Sequence, residues 1–290
     1  MGYIFSGFAD EAGAELETQI RATKELGWSN IEMRNVKVDD LPFGNLHDIS
    51  DEAFLRVVER IGEANLRIHC FGSAIANGAK SIEKPFDADL ESTKRAAIRM
   101  PKLGTKFIRI MSYPVLQDRE DQLEQERFRR LREIVSILNG AGVTVLHENC
   151  GNYGGMGWTY TLKLLENVPG LKIVFDMGNC FHDLDYTKSK PYPYQDAWEF
   201  YEHVRDHIVH IHIKDGRMEN GKHVHTYPGQ GTSDVKRIID DQLARGYKGV
   251  FSIEPHIGVA PEFSQLPEAE GKYRTYVKHG QILETLFPKA

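Results

Sequence analysis

The chain has 290 residues, of which 41% are hydrophobic and 27% are charged, the balance of an ordinary globular protein. Its net charge of −6 argues against a general binder of nucleic acid or membrane surfaces, and no apolar run approaches the roughly 20 residues that span a bilayer. Three cysteines, an odd number, fit reduced thiols better than a disulfide framework. Asp10 and Glu11 come too early for a signal peptide, so the sequence predicts a cytoplasmic protein.

Strand and helix patterns alternate along the whole chain. Eight apolar runs, each rich in β-branched or aromatic residues, predict buried strands. Helical segments lie between them; one follows Ser50, which can cap a helix N-terminus, and has apolar residues at three- and four-residue spacing. The predicted strands cover residues 3–9, 30–36, 66–72, 106–112, 143–149, 171–178, 208–215 and 249–255.

Eight strand–helix units without a break in composition predict a closed parallel (β/α)8 barrel, the TIM barrel, as a single domain over residues 1–290. Each unit would then have about 36 residues, near the usual size of one unit. The alternative is a doubly wound open sheet. No G-x-G-x-x-G motif follows the first predicted strand to support that alternative.

Three connections are longer than a barrel needs, namely residues 73–87, 179–195 and 256–271. All three lie on the predicted C-terminal face, where long loops are usually lids or binding loops. The loop 179–195 carries one Phe and three Tyr. Their rings either cover a small polar ligand or pack against a neighbouring loop or subunit, so a homo-oligomer stays open.

Four polar residues end four consecutive predicted strands: Glu148, Asp176, His212 and Glu254, with gaps of 28, 36 and 42 residues. Alone, each of them would be interpreted as a salt bridge or a strand-end cap. Together they can form a ring of oxygen and nitrogen ligands that suits Mn, Co, Zn or Mg. Three carboxylates with one imidazole are too rich in oxygen for a structural zinc site.

Such a site favours a metal-dependent enzyme that acts on a sugar or a related hydroxy-ketone. A metal that holds a hydroxyl and an adjacent carbonyl polarises the carbonyl and acidifies the neighbouring C–H bond. Glu148 and Glu254 would flank the substrate, one removing the proton and the other returning it to the opposite face. Both glutamates are therefore predicted to be metal ligands and catalytic residues.

Several further polar residues are weaker candidates. Arg109 either contacts an anionic or polar substrate group or forms an ion pair inside the barrel, with Glu32 or with the partner of Arg34. Lys214 shares the face of His212 and is predicted to contact substrate. Glu32 and Arg34 share a face of the second predicted strand and are interpreted as a pair with each other. The segment PGQG (228–231) either binds a phosphate at a helix N-terminus or forms a turn, and the turn is favoured.

Seven segments spread over the chain form a recognisable set: SGFADEAG (6–13), IEMRNV (31–36), HEN (147–149), FDMGN (175–179), HIHIKD (210–215), PGQG (228–231) and GYKGVFSIEPH (246–256). With these segments the chain resembles, over nearly its whole length, the xylose-isomerase-like TIM barrels of the sugar phosphate isomerase/epimerase type. The resemblance implies one divalent metal, manganese first with Co, Mg or Zn as alternatives. It implies Glu148, Asp176, His212 and Glu254 as ligands, proton transfer by the two glutamates, and a small carbohydrate substrate.

One departure from the family pattern concerns the segment after Asp176. Many ketose epimerases of this family have D-x-x-H there, and this chain has Asn179, which can hydrogen-bond a hydroxyl but cannot carry a proton. His182 is a candidate substitute from the loop. A lyase on the same metal site, a dehydratase or an enzyme that cleaves oxidised glycosides by elimination, is therefore the alternative function.

Two further functions receive less support from the sequence. An apurinic-site endonuclease of this family would use several metals and more histidines, and it would bind DNA. The acidic chain and the single His in the ring argue against that function. The other function is a catalytically silent barrel that acts within a complex.

Overall fold

The computed structural model describes residues 3–288, and the ends of the predicted domain, residues 1–2 and 289–290, lie outside the described residues. Eight parallel strands pair in the order β1-β8-β7-β6-β5-β4-β3-β2. A parallel bridge between Phe8 and Glu32 then joins the first strand to the second, so the barrel is nearly closed. The strands are β1 (Ile4–Gly7), β2 (Asn30–Met33), β3 (Arg67–Gly72), β4 (Phe107–Ile110), β5 (Thr144–Glu148), β6 (Lys172–Asp176), β7 (Ile208–Ile213) and β8 (Val250–Ile253).

One α-helix follows each of these strands within the described residues, so the predicted single-domain TIM barrel is confirmed. The helix after β2 begins as predicted, because the Ser50 side chain accepts a hydrogen bond from the backbone N–H of Ala53. The helices are α1 (Leu16–Glu25), α2 (Asp51–Glu63), α3 (Asp87–Leu103), α4 (Glu124–Gly140), α5 (Trp158–Asn167), α6 (Ala197–Val204), α7 (Val235–Ala244) and α8 (Glu268–Thr285).

The strands are shorter than predicted, because burial continues beyond the point where strand pairing stops. The run 106–112 is an example: pairing ends at Ile110, yet Met111 and Tyr113 are still buried. Their backbone N–H groups donate to the carbonyl oxygens of Ile75 and Ala76 in the loop after β3 instead. An apolar run therefore predicts a buried segment better than it predicts the last residue of a strand.

Two short antiparallel sheets accompany the barrel in the described residues. One pairs Asn35–Val36 with Gly44–Asn45 after β2. The other follows β7, has no counterpart among the predicted strands, and is a hairpin of Asp215–Glu219 and Lys222–Thr226. Its turn, Asn220–Gly221, has both residues at positive φ (50° and 75°), the conformation that favours Asn-Gly in a two-residue hairpin loop. The Asn-Gly pair was the sequence signal for this hairpin, which stands at the C-terminal mouth of the barrel.

The barrel interior changes from apolar to polar towards its C-terminal mouth. Leu146 and Val174 form a small apolar cluster with Cys70 in the interior. Glu148 and Asp176 follow two residues later on the same strand faces, at the strand ends. The fold therefore places polar side chains in one layer at the mouth. No helix in residues 3–288 is both long and apolar enough to cross a membrane.

Candidate metal centre

The four residues predicted at the strand ends meet at the mouth of the barrel. One ligand atom from each of Glu148, Asp176, His212 and Glu254 lies within 4.8 Å of the others, and all four residues are buried. The Nδ1 atom of His212 is 3.9 Å from Oε2 of Glu148, 4.0 Å from Oδ2 of Asp176 and 3.7 Å from Oε2 of Glu254. This geometry puts three carboxylates around one imidazole nitrogen.

The donor atoms of this ring fit a divalent cation. Oε2 of Glu148, Oδ2 of Asp176 and Nδ1 of His212 are buried and accept or donate no hydrogen bond. Buried polar groups rarely lack a hydrogen bond, because leaving one without a partner destabilises the fold by about 1–3 kcal/mol. A metal ion bound by these atoms would satisfy all three at once.

The outer atoms of two ligands are held in place by hydrogen bonds. Oδ1 of Asp176 accepts from the backbone N–H groups of Gly178 (2.8 Å) and Asn179 (3.1 Å). Oε1 of Glu148 accepts from the side-chain amide of Asn179 at 3.0 Å. Each carboxylate is therefore oriented so that its second oxygen faces the common point.

Glu32 orients His212, the histidine of the ring, through a hydrogen bond to Nε2, the nitrogen that faces away from the ligand carboxylates. It is fully buried on β2, and its oxygens accept hydrogen bonds from Nε2 of His210 (2.8 Å), Nε2 of His212 (3.2 Å) and the Ser252 hydroxyl (2.6 Å). Burial alone would raise the pKa of Glu32, but the two imidazoles hold it well below its usual range. Because the ionised Glu32 accepts from Nε2–H, the proton that His212 loses when it becomes neutral is the one on Nδ1. The lone pair then faces the carboxylates.

The predicted pair of Glu32 with Arg34 is wrong. Strand β2 ends at Met33, so Arg34 lies beyond the strand at the mouth. Arg34 instead contacts Asp10 (2.9 Å) and Oε1 of Glu254 (2.9 Å). The two residues thus orient two different ligands, Glu32 the histidine and Arg34 a glutamate.

Arg109 and Lys214, two candidates from the sequence for contact with substrate, lie beside the ligand carboxylates and are buried in the mouth. Nε of Arg109 is 3.1 Å from Oε2 of Glu148, and not beside Glu32 as the sequence had suggested. Nζ of Lys214 is 2.7 Å from Oδ2 of Asp176 and 3.2 Å from Oε2 of Glu254. The contacts of Arg109 with Glu148 and of Lys214 with Asp176 are close ion pairs without hydrogen-bond geometry.

Gly178 makes room for Lys214. A Cβ atom at Gly178 would lie 2.5 Å from Cγ and 2.7 Å from the backbone carbon of Lys214, closer than real Cβ contacts come. The glycine of the FDMGN segment therefore lets the turn after Asp176 pack directly on the lysine. A positive charge is thereby held beside two of the ligand carboxylates.

Asn179 and His182 occupy different places. Asn179 is buried, and its amide donates to Glu148 and to the backbone carbonyl of Asn149 (2.8 Å). His182 is outside the four-residue ring; its Nδ1 is 3.0 Å from Asp183. Contact of either residue with substrate stays a prediction.

The unpredicted hairpin contributes one side of the mouth. The ring of His225 lies 6.1 Å from that of His182 and 5.3 Å from that of His256. Nε2 of His256 is in turn 3.2 Å from Oε1 of Glu254. A row of imidazoles therefore leads from the loop after β6, across the hairpin, to the metal centre.

The PGQG segment forms a turn around a carboxylate. Oδ2 of Asp215 accepts from the backbone N–H groups of Gly229 and Gly231, both at 2.9 Å, and Oδ1 accepts from that of Ser233 at 3.1 Å. These N–H groups are thus directed at a residue of the chain itself, which agrees with the favoured prediction of a turn.

Metal binding at this centre is expected to weaken as the pH falls. Burial lowers the pKa of His212, but Glu32 and the ring carboxylates outweigh it and raise the pKa to about 9; burial also raises the pKa of Asp176 to about 7. A ligand must lose its proton before it binds a metal, so the apparent affinity should rise with pH up to about 9. Competition with a chromogenic chelator at several pH values measures this. A constant affinity between about pH 6 and about pH 9 would contradict it.

A sequence model of the family described as xylose isomerase-like TIM barrel matches residues 20–274. The chain therefore belongs to this family, and the resemblance noted in the sequence is confirmed. Among curated proteins no match is found.

Solved structures share the fold at low sequence identity. The IOLI protein with a binding zinc atom is 16% identical, with a TM-score of 0.71 over 100% of both chains. A D-tagatose 3-epimerase-like protein is 17% identical, with a TM-score of 0.69 over 98% of this chain and 96% of that one. The probable 3-DHS dehydratase AsbF from Bacillus anthracis is 18% identical, with a TM-score of 0.67 over 98% and 99%.

Proposed function

We propose that this protein is a divalent-metal-dependent isomerase or epimerase of a sugar or a related hydroxy-ketone. The observation that carries the proposal is the convergence of three carboxylates and one imidazole at the barrel mouth, with three buried atoms that make no hydrogen bond. Manganese is the ion we propose, with cobalt, magnesium or zinc as alternatives. The net charge of −6 supports a small-molecule substrate over a nucleic acid. Cytoplasmic location and homo-oligomerisation stay predictions.

A bound metal would supply Lewis-acid polarisation of the substrate carbonyl, which acidifies the adjacent C–H bond. We assign the proton transfers to Glu148 and Glu254. Their positions at the ends of β5 and β8, with β6 and β7 between these strands, support the assignment. A carboxylate oxygen of one glutamate takes the carbon-bound proton from one side. The other glutamate returns a proton to the same carbon from the opposite side in an epimerisation. In an isomerisation the proton goes to the neighbouring, former carbonyl carbon, and the hydroxyl proton moves to the former carbonyl oxygen.

The cations of the mouth orient both glutamates and keep Glu254 ionised. Burial would raise the pKa of Glu254, but Lys214, His256 and His212 hold it well below its usual range. Glu254 is therefore a carboxylate at neutral pH and able to accept a proton. Arg109 forms an ion pair with Glu148 and orients that glutamate in the same way.

A lyase on the same site is the second candidate. A dehydratase of the same fold is among the solved structures that resemble this chain, at 18% identity. Asn179, with its amide committed to Glu148, also differs from the D-x-x-H pattern of ketose epimerases. Removal of the same proton followed by loss of a hydroxyl or an alcohol would be lyase chemistry.

The deciding experiment measures metal content and solvent deuterium incorporation with the purified full chain. The substrates are a panel of ketoses and keto-glycosides. Deuterium exchange without loss of water indicates an isomerase or epimerase, and loss of water or of an aglycone indicates a lyase. Absence of metal with no exchange would contradict both and leave a catalytically silent barrel.

Shortening the loop 179–195 is expected to lower turnover and broaden substrate choice without loss of metal. The loop is pinned by an antiparallel bridge between Leu184 and Tyr194 and by hydrogen bonds from Gln195 to Gly155 and Leu184. A loop held in this way can form a wall of the substrate pocket that excludes water from a reactive intermediate and limits which substrates fit. Deleting residues 187–192 and repeating the panel tests this. Wild-type selectivity in the deletion variant would place specificity in the loops after β3 and β8.

A further inference from the structure

A cavity lies at the C-terminal rim, and its lining includes none of the four residues of the metal centre. Its volume is about 730 Å³, within the ~300–1,000 Å³ of small-molecule sites. We call it the tyrosine cavity, after Tyr160, Tyr186 and Tyr192 in its lining. It is formed by the loop after β4, the region around the start of α5, and the loop 179–195.

The wall after β4 is rigid. Arg127 is fully buried on α4 and donates hydrogen bonds to four backbone carbonyl oxygens near the two ends of that loop. Gln122 clamps the loop from inside: its Nε2 donates to the carbonyl oxygens of Leu116 (2.8 Å) and Arg119 (2.7 Å), and its Oε1 accepts from the N–H of Leu116 (2.9 Å). The cavity therefore has one wall that is formed before any ligand arrives.

The opposite wall is fixed by bonds to the segment after β5. The N–H of Tyr186 donates to the carbonyl oxygen of Met156 at 2.9 Å. The rings of Tyr186 and Tyr192 lie 4.7 Å apart at 44°. The backbone at Tyr186 and the packed pair of rings are thus held before a ligand arrives, so little conformational entropy of this wall would be lost on binding.

The chemistry of the lining suits a neutral ligand with many hydroxyls. The cavity presents Asp118 and Glu120 together with Arg119 and Lys190, so charges of both signs are present. Carboxylates accept from hydroxyls, and the ammonium and guanidinium groups donate to them. The tyrosine rings offer apolar faces with polar ends. A sugar ring has this combination of C–H faces and hydroxyl edges.

We propose that the tyrosine cavity binds the second ring of an extended carbohydrate, a disaccharide or glycoside whose first ring reacts at the metal centre. The inference rests on the proposed function and narrows its substrate class. The three loops that line the cavity leave the barrel from β4, β5 and β6. Those strands also carry Arg109, Glu148 and Asp176. The cavity and this side of the metal centre therefore belong to one sector of the mouth.

Isothermal titration of the full chain with maltose, cellobiose and 4-nitrophenyl β-glucoside tests the cavity without any turnover. We expect at least one of the three to bind, and Tyr192→Ala and Gln117→Ala each to weaken that binding by about tenfold. Gln117 is an exposed side chain of the lining, so its variant separates loss of binding from loss of folding. Phe43→Ala, an exposed aromatic residue outside the lining, is the matched control and should bind as the unmodified protein does.

Absence of binding by all three probes, or unchanged binding by Tyr192→Ala and Gln117→Ala, would overturn the inference. The proposed function fails separately, through absence of metal and of deuterium exchange. In the substrate panel, the ratio of kcat/KM for a keto-glycoside to that for the corresponding ketose should fall about tenfold in Tyr192→Ala. An unchanged ratio would also count against a second-ring site.

Discussion

Replacing Glu148 or Glu254 by glutamine is expected to lower kcat/KM by at least ~10²–10⁴-fold, the range for loss of a general acid or base. Glutamine keeps the shape and a weak carbonyl ligand, but it cannot take a proton from carbon. Both glutamates should be required, because the proposed reaction uses one to remove a proton and the other to return it.

The groups around each glutamate indicate a second effect of the substitution, on metal affinity. Glu148 is contacted by the guanidinium of Arg109 and the amide of Asn179, and Glu254 by Arg34 and Lys214. All of these are donors or cations, so a glutamine NH₂ group at either position would face another donor. Some loss of metal affinity is therefore expected with the loss of turnover.

Metal content, deuterium exchange and melting temperature must be measured on each glutamine variant. Glu202→Gln, an exposed glutamate on α6, makes the same chemical change outside the mouth and should keep full activity. A metal-loaded Glu148→Gln or Glu254→Gln that does not exchange deuterium supports proton transfer by that residue. Activity near that of the unmodified protein in either variant would assign the proton transfer to another group.

The ring of four side chains could be predicted from the sequence, because barrel geometry determines where the strand ends lie. In a parallel strand the side chains alternate, and all carboxyl ends meet at one mouth. Position along the chain was therefore enough to bring Glu148, Asp176, His212 and Glu254 to one layer. Their roles as metal ligands and bases stay predictions that the variants test.

The contacts around the ring depend on details that no spacing rule gives. Strand β2 ends at Met33, so the alternation of side chains that predicts Glu32 and Arg34 on one face does not extend to Arg34. The hairpin after β7 has a local sequence signal, the Asn220–Gly221 pair, but the strand–helix repeat of a barrel predicts no hairpin at this point. The tyrosine cavity joins three loops that are distant in the sequence, so only the folded chain shows it.

Replacing Glu32 by glutamine is expected to weaken metal binding by about 10–100-fold, the usual effect of removing the partner of a metal-binding histidine. Glu32 is an acceptor for two imidazole N–H groups, those of His210 at 2.8 Å and His212 at 3.2 Å. Glutamine has one acceptor oxygen and one NH₂ group, so one of the two histidines must then offer a lone pair at Nε2. If that histidine is His212, its proton moves to Nδ1, the atom that faces the carboxylates.

Two control variants accompany Glu32→Gln: the conservative change Glu32→Asp and the surface change Glu202→Gln. Aspartate keeps both acceptor oxygens on a shorter side chain, so it should retain more metal affinity than glutamine does. Glu202→Gln should bind metal as the unmodified protein does, since Glu202 is exposed on α6. Metal affinity is read by chelator competition, and ¹⁵N chemical shifts of the His212 ring report which nitrogen carries the proton. Unchanged affinity in Glu32→Gln, with the His212 proton still on Nε2, would show that the barrel mouth fixes the imidazole without its carboxylate partner.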